Sequence, residues 1–478
     1  MKLLNFKYGL IVLTLTSFLS CGKHKESATV IHAVTDLSHQ FTFYADNRFY
    51  QQYMPEGKGV ANWVDLSDFD LSNTNLLILL GCDDRISYSK EDVETITGFL
   101  NEGGGVMIFG NDKTKSQNEL LSNYGSRFVA PAAYPLVAGR SFNLDSIEGN
   151  GVSVIDLEKP SLWNMLIKDS KGKPVLVKRN VGKGTLLVSS RELAGSHPSA
   201  RDSINKTLWK TILPRLAEGK KVDTTKRFRS KGIKQMKFNE DHGGFKMSYT
   251  SYMKPYAKEM VNVYKNALPF IEERMGVPLS PGMASHITLL PTGGGGFSSG
   301  ETIGLAVWWG DFPEKKEGMI EFLTHESVHS WVLPFPEVWN EPIATYIGDL
   351  VLMDSGYQKE GLTRIENTIA RATRIDPEMK NYDIHGNLTG TGSVLNDSEK
   401  NDIHWGKTFW IFEELRKENP DIISDYFKAK RVHVKEGSVK EYDMNETVRL
   451  LSKAMDRDMF GWFNDIGVKV NSEKPEIK

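Results

Sequence analysis

One short stretch of the chain reads Thr324-His325-Glu326-Ser327-Val328-His329. Residues four apart on an α-helix share a face, so the imidazoles of His325 and His329 would converge on one ion, about 2 Å from each nitrogen. Glu326 lies between them and would project beside that ion without binding it, placed to take a proton from water. Eleven residues separate His329 from Glu341, in the run Val338-Trp339-Asn340-Glu341-Pro342-Ile343-Ala344-Thr345-Tyr346-Ile347. This run reads as a second helix with Pro342 suited to its first turn. Two histidines and a glutamate leave the fourth tetrahedral position of a Zn2+ ion open, as hydrolytic zinc requires. The plainer role for Glu341 is a carboxylate interacting with the dipole at a helix N-terminus.

These side chains need helices to hold them. Met319, Phe322 and Leu323 give the histidine segment an apolar face, and no proline interrupts it before Pro334.

The wider stretch Leu268 to Thr345 resembles a gluzincin catalytic domain. The likeness is carried by a helix ending Phe270-Ile271-Glu272-Glu273-Arg274-Met275-Gly276 and a strand at Ser285 to Leu290. A glycine-rich loop follows at Gly293 to Gly300, then an edge strand near Ile303 to Trp308 and the two helices of the ligand set. The resemblance implies a thermolysin-like α+β domain with a helical C-terminal lobe over residues 235–478. It also implies an edge strand that holds the substrate backbone by β-augmentation. The short spacer before Glu341, together with the domain upstream, is similar to the enhancin-like metallopeptidases, several of which act on mucin-type glycoproteins. A peptide or glycoprotein substrate is what that similarity implies.

A peptidase also needs a donor for the tetrahedral oxyanion. Aminopeptidases of the superfamily use a tyrosine three residues before a glycine at the head of a later helix. The matching run here is Trp405-Gly406-Lys407-Thr408-Phe409, and the tyrosine position is Ile403. His404, next to it, is the candidate catalytic donor. Tyr382 and His385 compete for the role, and a capping or surface histidine is the plainer reading of His404. Asp349 is the candidate carboxylate for orienting a zinc-binding histidine.

Upstream, Leu76 to Leu80 suits a strand buried on both faces. Ser89 and Asp92 form a capping box ahead of the stripe Val93, Ile96, Phe99 and Leu100. Gly103-Gly104-Gly105 stops that helix, and Val106 to Phe109 begins the next strand. Strand, helix, strand implies a right-handed crossover and a parallel sheet. Pro174 to Lys178 and Thr185 to Ser189 flank Gly182-Lys183-Gly184 as a hairpin closing the sheet. The segment Asn75 to Asp112 resembles the flavodoxin-like α/β fold of the glutamine-amidotransferase-like proteins. Their nucleophilic cysteine sits at an elbow that here reads Gly110-Asn111-Asp112, with no thiol or hydroxyl to form a covalent intermediate. Cys82 is a displaced candidate; a lone cysteine at a strand end is more simply a small packing residue.

The expected organisation is a lipoprotein signal peptide over 1–21, a tether over 22–28 and a non-catalytic amidotransferase-like domain over 29–217. A basic linker over 218–234 and a zinc metallopeptidase domain over 235–478 complete it. The signal is read from a positively charged start, the apolar run Leu10 to Leu19 and Cys21, which resembles a lipobox cysteine. It predicts membrane attachment at the bacterial cell envelope through a lipid on Cys21, an ordinary signal peptide or an N-terminal anchor being the alternative. With 478 residues, two cysteines and a net charge of -2, the chain expects several domains, no disulfide framework and no nucleic-acid partner. The rival to a peptidase is a peptidase-fold protein that binds peptides or glycoproteins without cutting them.

Overall fold

A computed structural model describes residues 29–40, 57–80, 85–139, 147–194, 205–331, 339–389, 395–435 and 443–472. The signal and tether, Cys21, Cys82 and Val338 lie outside them. The chain is a mixed α/β, multidomain protein with a helical C-terminal region.

The N-terminal part contains strands β1 (Ile31–Asp36), β2 (Gly57–Asn62) and β3 (Leu76–Leu79), helix α1 (Lys90–Asn101), β4 (Gly105–Gly110) and α2 (Lys115–Ser122). Next come β5 (Ser126–Pro131), β6 (Val137–Ala138), β7 (Ser153–Leu157), β8 (Asn164–Lys168), β9 (Pro174–Val181), β10 (Gly184–Ser190) and α3 (Lys206–Ala217). Eight strands form one sheet in the order β2-β1-β3-β4-β10-β9-β8-β6. The pairs from β2 through β10 are parallel, and those from β10 through β6 are antiparallel.

All four residues of β3 are at most 1 % exposed, because one apolar cluster covers each face of the sheet. Each such side chain contributes roughly 1.5–3 kcal/mol of burial. The capping box of α1 is present in full: the Ser89 hydroxyl accepts from Asp92 N while the Asp92 carboxylate accepts from Ser89 N. At the glycine stop after α1, Gly103 has φ of +102°, and a Cβ on Gly105 would stand 2.2 Å from the Leu216 carbonyl oxygen. The backbone of α3 is packed directly against that turn.

The β9/β10 hairpin forms as expected, but it does not close the sheet. β10 pairs in parallel with β4, and β8 and β6 continue beyond β9. A hairpin pattern specifies its own two strands; the neighbours on either side come from distant sequence. The segment 218–234 lies against the sheet. Lys231 bridges Asn62, and the buried Phe228 ring stacks on His32 at 4.4 Å.

The C-terminal part opens with the hairpin β11 (Phe238–Asp241) and β12 (Lys246–Tyr249), then α4 (Lys254–Met275), β13 (His286–Leu290), β14 (Phe297–Ser298) and β15 (Thr302–Ala306). These strands form a five-stranded sheet in the order β11-β12-β13-β15-β14. The strand expected at the edge, near Ile303, is therefore internal. The edge on that side is β14, two residues inside the glycine-rich loop and too short for periodicity to reveal; β11 is the opposite edge. Helices α5 (Glu317–Val328), α6 (Asn340–Asp354), α7 (Gln358–Ile375), α8 (Asp397–Glu418), α9 (Ile422–Lys435), α10 (Met444–Ala454) and α11 (Phe460–Asp465) follow around one large core. Among the described residues no helix is long and apolar enough to cross a membrane.

Candidate metal centre

Helix α5 carries His325 on its last turn, and His329 is its C-cap residue. Behind them Met319 and Leu323 are fully buried, so the helix is anchored by the face opposite its ligands. Helix α6 packs against α5 and presents Glu341 in its first turn.

The three side chains meet. His329 Nε2 lies 3.1 Å from His325 Nε2, Glu341 Oε2 lies 3.3 Å from His325 Nε2, and Glu341 Oε1 lies 3.6 Å from His329 Nε2. Ligands about 2.0–2.1 Å from a tetrahedral ion stand about 3.3 Å from one another, so these separations fit the edges of one coordination shell. His325, His329 and Glu341 together form a group that could hold a metal ion.

The outer nitrogens are also fixed. His325 Nδ1 is 3.0 Å from Thr345 Oγ1, and His329 Nδ1 is 3.2 Å from Asn340 Oδ1. Both partners ride on α6 with Glu341, so one helix supplies a candidate ligand and the two groups that orient the histidines. Trp405 Nε1 donates to Thr345 Oγ1 at 3.4 Å. Thr345 is one helical turn beyond Glu341, a spacing that places it on the ligand face and signals this role in the sequence.

Asp349 does not orient either histidine of this group. It is buried, its Oδ1 lies 4.0 Å from Arg364, and burial with Glu321 nearby pushes its carboxyl up to about 8. It lies one turn too far along α6, beyond Thr345.

Glu326 is 6 % exposed and lies beneath the glycine loop: a Cβ on Gly296 would be 2.6 Å from Glu326 Oε1. Burial raises the Glu326 carboxyl to about 7; His325 opposes the rise, and Glu341 and Glu321 add to it. The hydrogen bond to His325 holds the Glu341 carboxyl below the usual range, against its burial, and His404 lowers it further. His404 thus lies within electrostatic reach of the centre. Its ring is 6.4 Å from that of His385 and 5.0 Å from that of Trp405. The Trp405–Phe409 run is in the body of α8, since that helix begins at Asp397 behind an Asn396 capping box. Tyr382 packs in a satellite core with Met379 and Ile403, and His385 is exposed on the turn beside it.

In the N-terminal domain, the elbow residues are taken up by structure. Asn111 Nδ2 donates to Glu192, and Asp112 Oδ1 accepts from the Ser153 hydroxyl at 3.0 Å.

No protein-family model and no curated protein matches this sequence. Similar solved structures include a leukotriene A4 hydrolase from Saccharomyces cerevisiae, 12 % identical, covering 48 % of this chain and 37 % of that one, with a TM-score of 0.33. A cytoplasmic protein of Salmonella typhimurium LT2 is 12 % identical and covers 39 % of this chain and 100 % of its own, with a TM-score of 0.28. The exo-beta-1,4-mannosidase of Opitutaceae bacterium strain TAV5 is 13 % identical over 40 % of this chain and 36 % of its own, also with a TM-score of 0.28. With every one of these TM-scores below 0.5, the case for the site rests on its own atoms.

Proposed function

We propose that the chain is a zinc peptidase of the gluzincin type, similar to the enhancin-like metallopeptidases, acting on peptide bonds of extracellular proteins or glycoproteins. The observation that carries this reading is the convergence of His325, His329 and Glu341 on one point with Glu326 within electrostatic reach of His325 and Glu341. Zinc held there would supply Lewis acidity, polarising a carbonyl and making water acidic enough to lose a proton near neutral pH. Glu326 takes that proton and returns it to the leaving amine. Thr345 and Asn340 fix the tautomers of the histidines so that both Nε2 atoms face inward. His404 stands as the donor toward the developing oxyanion.

The N-terminal domain is assigned to the flavodoxin-like, amidotransferase-like class without catalysis of its own. Its strand order β2-β1-β3-β4 and the engaged elbow residues support that assignment. Attachment to the bacterial envelope through a lipid on Cys21 is part of the same proposal and rests on the N-terminal sequence.

A zinc assay paired with cleavage of a casein and mucin panel tests the function. One zinc per chain and cleavage that a chelator abolishes and zinc restores is the expected result. One zinc per chain with no cleavage of any panel member would favour the binding-protein reading instead.

A further inference from the structure

In open α/β sheets, ligands bind beyond the carboxyl ends of the strands, where successive connections leave in opposite directions. Here that point lies at the end of β1, because β2 and β3 flank it on opposite sides. The residues there are rich in chemistry. His39 Nδ1 is 2.8 Å from Asp36, His39 Nε2 is 3.3 Å from Asp92, and these three side chains are at most 2 % exposed. A further partner comes from the other domain. Tyr252, just ahead of α4, donates its hydroxyl to Asp92 Oδ1 at 2.6 Å and accepts from the Leu66 amide at 3.2 Å; its ring lies 4.2 Å from that of His39. Beside it, Ser251 donates through both its amide and its hydroxyl to Asp65, at 2.8 and 2.6 Å.

The two cores also exchange side chains. Ile86, from the loop ahead of α1, is buried in the core of the C-terminal domain. Leu290, at the end of β13, is fully buried in the core of the N-terminal domain, and Phe297 of the edge strand β14 packs against that same core. Arg85 lies over the Trp308 ring at 5.4 Å, and Trp308 borders Gly293 of the glycine loop. The loop that covers Glu326 is thus held on its outer side by the N-terminal domain and on its inner side by α5.

We propose that the N-terminal domain is a fixed wall of the peptidase cleft, docked by Tyr252 and Ile86, and that these two act as positioning residues for the loop and edge strand over Glu326. The ligand crevice of the α/β sheet serves as the socket for this docking, with Tyr252 as its internal ligand. The kinetic consequence rests on the peptidase reading; the structural one does not.

The test uses the full-length, zinc-loaded protein and two variants. Tyr252→Phe deletes only the hydroxyl, and Ile86→Ala removes the plug from the opposite side. Amide hydrogen exchange over residues 296–307 should accelerate at least about fivefold in both, with bound zinc unchanged. For a cleaved peptide, KM should rise about fivefold or more while kcat stays within about twofold, since the wall holds substrate and the metal and base stay in place. Faster exchange confined to 36–40 and 86–92, with 296–307 as in the wild type, would overturn the proposal. So would loss of zinc and kcat together, the sign of general destabilisation. If the wild type cleaves nothing, the peptidase reading fails, and the exchange result still decides whether the wall exists.

Discussion

The chain contains two clusters built from the same side-chain types, and they differ in how the atoms face. Around His39, the two ring nitrogens turn to carboxylates on opposite sides, Asp36 and Asp92, and two tyrosine rings lie close by, Tyr88 stacked at 4.0 Å and Tyr252 tilted at 4.2 Å. Around Glu341, two different imidazoles point their Nε2 atoms at one place, and the glutamate that joins them has a side chain 52 % exposed. One histidine between two carboxylates cannot offer all of them to a single ion; two histidines one helical turn apart can. Residue type is common to both clusters, so convergence and access separate a socket from a site.

Loss of one converging side chain should have the largest effect. His325→Ala, His329→Ala or Glu341→Ala should lose most bound zinc by metal analysis, and with it all chelator-sensitive cleavage, since each leaves an incomplete shell. His39→Ala should leave zinc stoichiometric. Glu326→Gln comes next. The amide fills the same space and cannot take a proton from water, so zinc should stay bound while kcat falls by about 10² to 10⁴. Unchanged turnover in this variant would remove Glu326 from its role as base.

Gly296→Ala probes the cover over that base. Its new methyl would meet Phe322 Cζ at 2.5 Å, Glu326 Oε1 at 2.6 Å and the Gly304 carbonyl oxygen at 2.8 Å. The carbonyl belongs to a paired strand, so the loop or the Glu326 carboxylate must give way. Turnover should fall by roughly 10 to 10², with full zinc content, as expected for an ångström-scale misplacement. Thr345→Val should be milder: zinc affinity weaker by about 10- to 100-fold in a chelator competition, with turnover nearly restored at saturating zinc.

The convergence of His325, His329 and Glu341 was legible because a helix converts spacing into direction: four residues along α5, and a carboxylate in the first turn of α6. The capping box of α1 and the buried strand β3 were legible for the same reason, being local patterns with one physical meaning. The orienting contacts were less so. Asp349 has the right charge, but Thr345 has the right position, and only the packing of α6 on α5 distinguishes them. The edge strand β14 and the hairpin β11/β12 escaped a periodicity reading because two to four residues carry too little pattern. The Tyr252 socket was invisible for a deeper reason. Its partners Leu66 and Asp92 are 186 and 160 residues away, and nothing in a tyrosine ahead of a helix indicates which surface it will meet.

The smallest expected effect concerns stability and the closed cluster alone. Burial by itself would lower the His39 pKa, but Asp36 and Asp92 together raise it to about 9 from an ordinary 6.5. The other group packed on this ring from the second domain, Tyr252, has its own pKa raised by burial and by Asp92, so it stays neutral across the same range. A folded-state pKa above the unfolded one means that the folded chain holds a proton the unfolded chain has released. The stabilisation is therefore complete below about pH 6.5, shrinks between about 6.5 and 9, and is gone above that. Other buried groups also titrate on this alkaline side, Lys407 near 8 among them, so the wild-type curve alone does not isolate His39. The pH dependence of Asp92→Asn does isolate it: the amide oxygen still accepts from Tyr252 and the capping contact with Ser89 N is lost equally at every pH, while one of the two charges that hold the imidazolium is removed. The melting temperature of the zinc-loaded protein should drop more steeply from pH 7 to 9.5 in the wild type than in Asp92→Asn, by a few degrees. Parallel curves would mean that His39 is neutral in the fold and that the socket is held by Tyr252 and the apolar exchange without an ion pair.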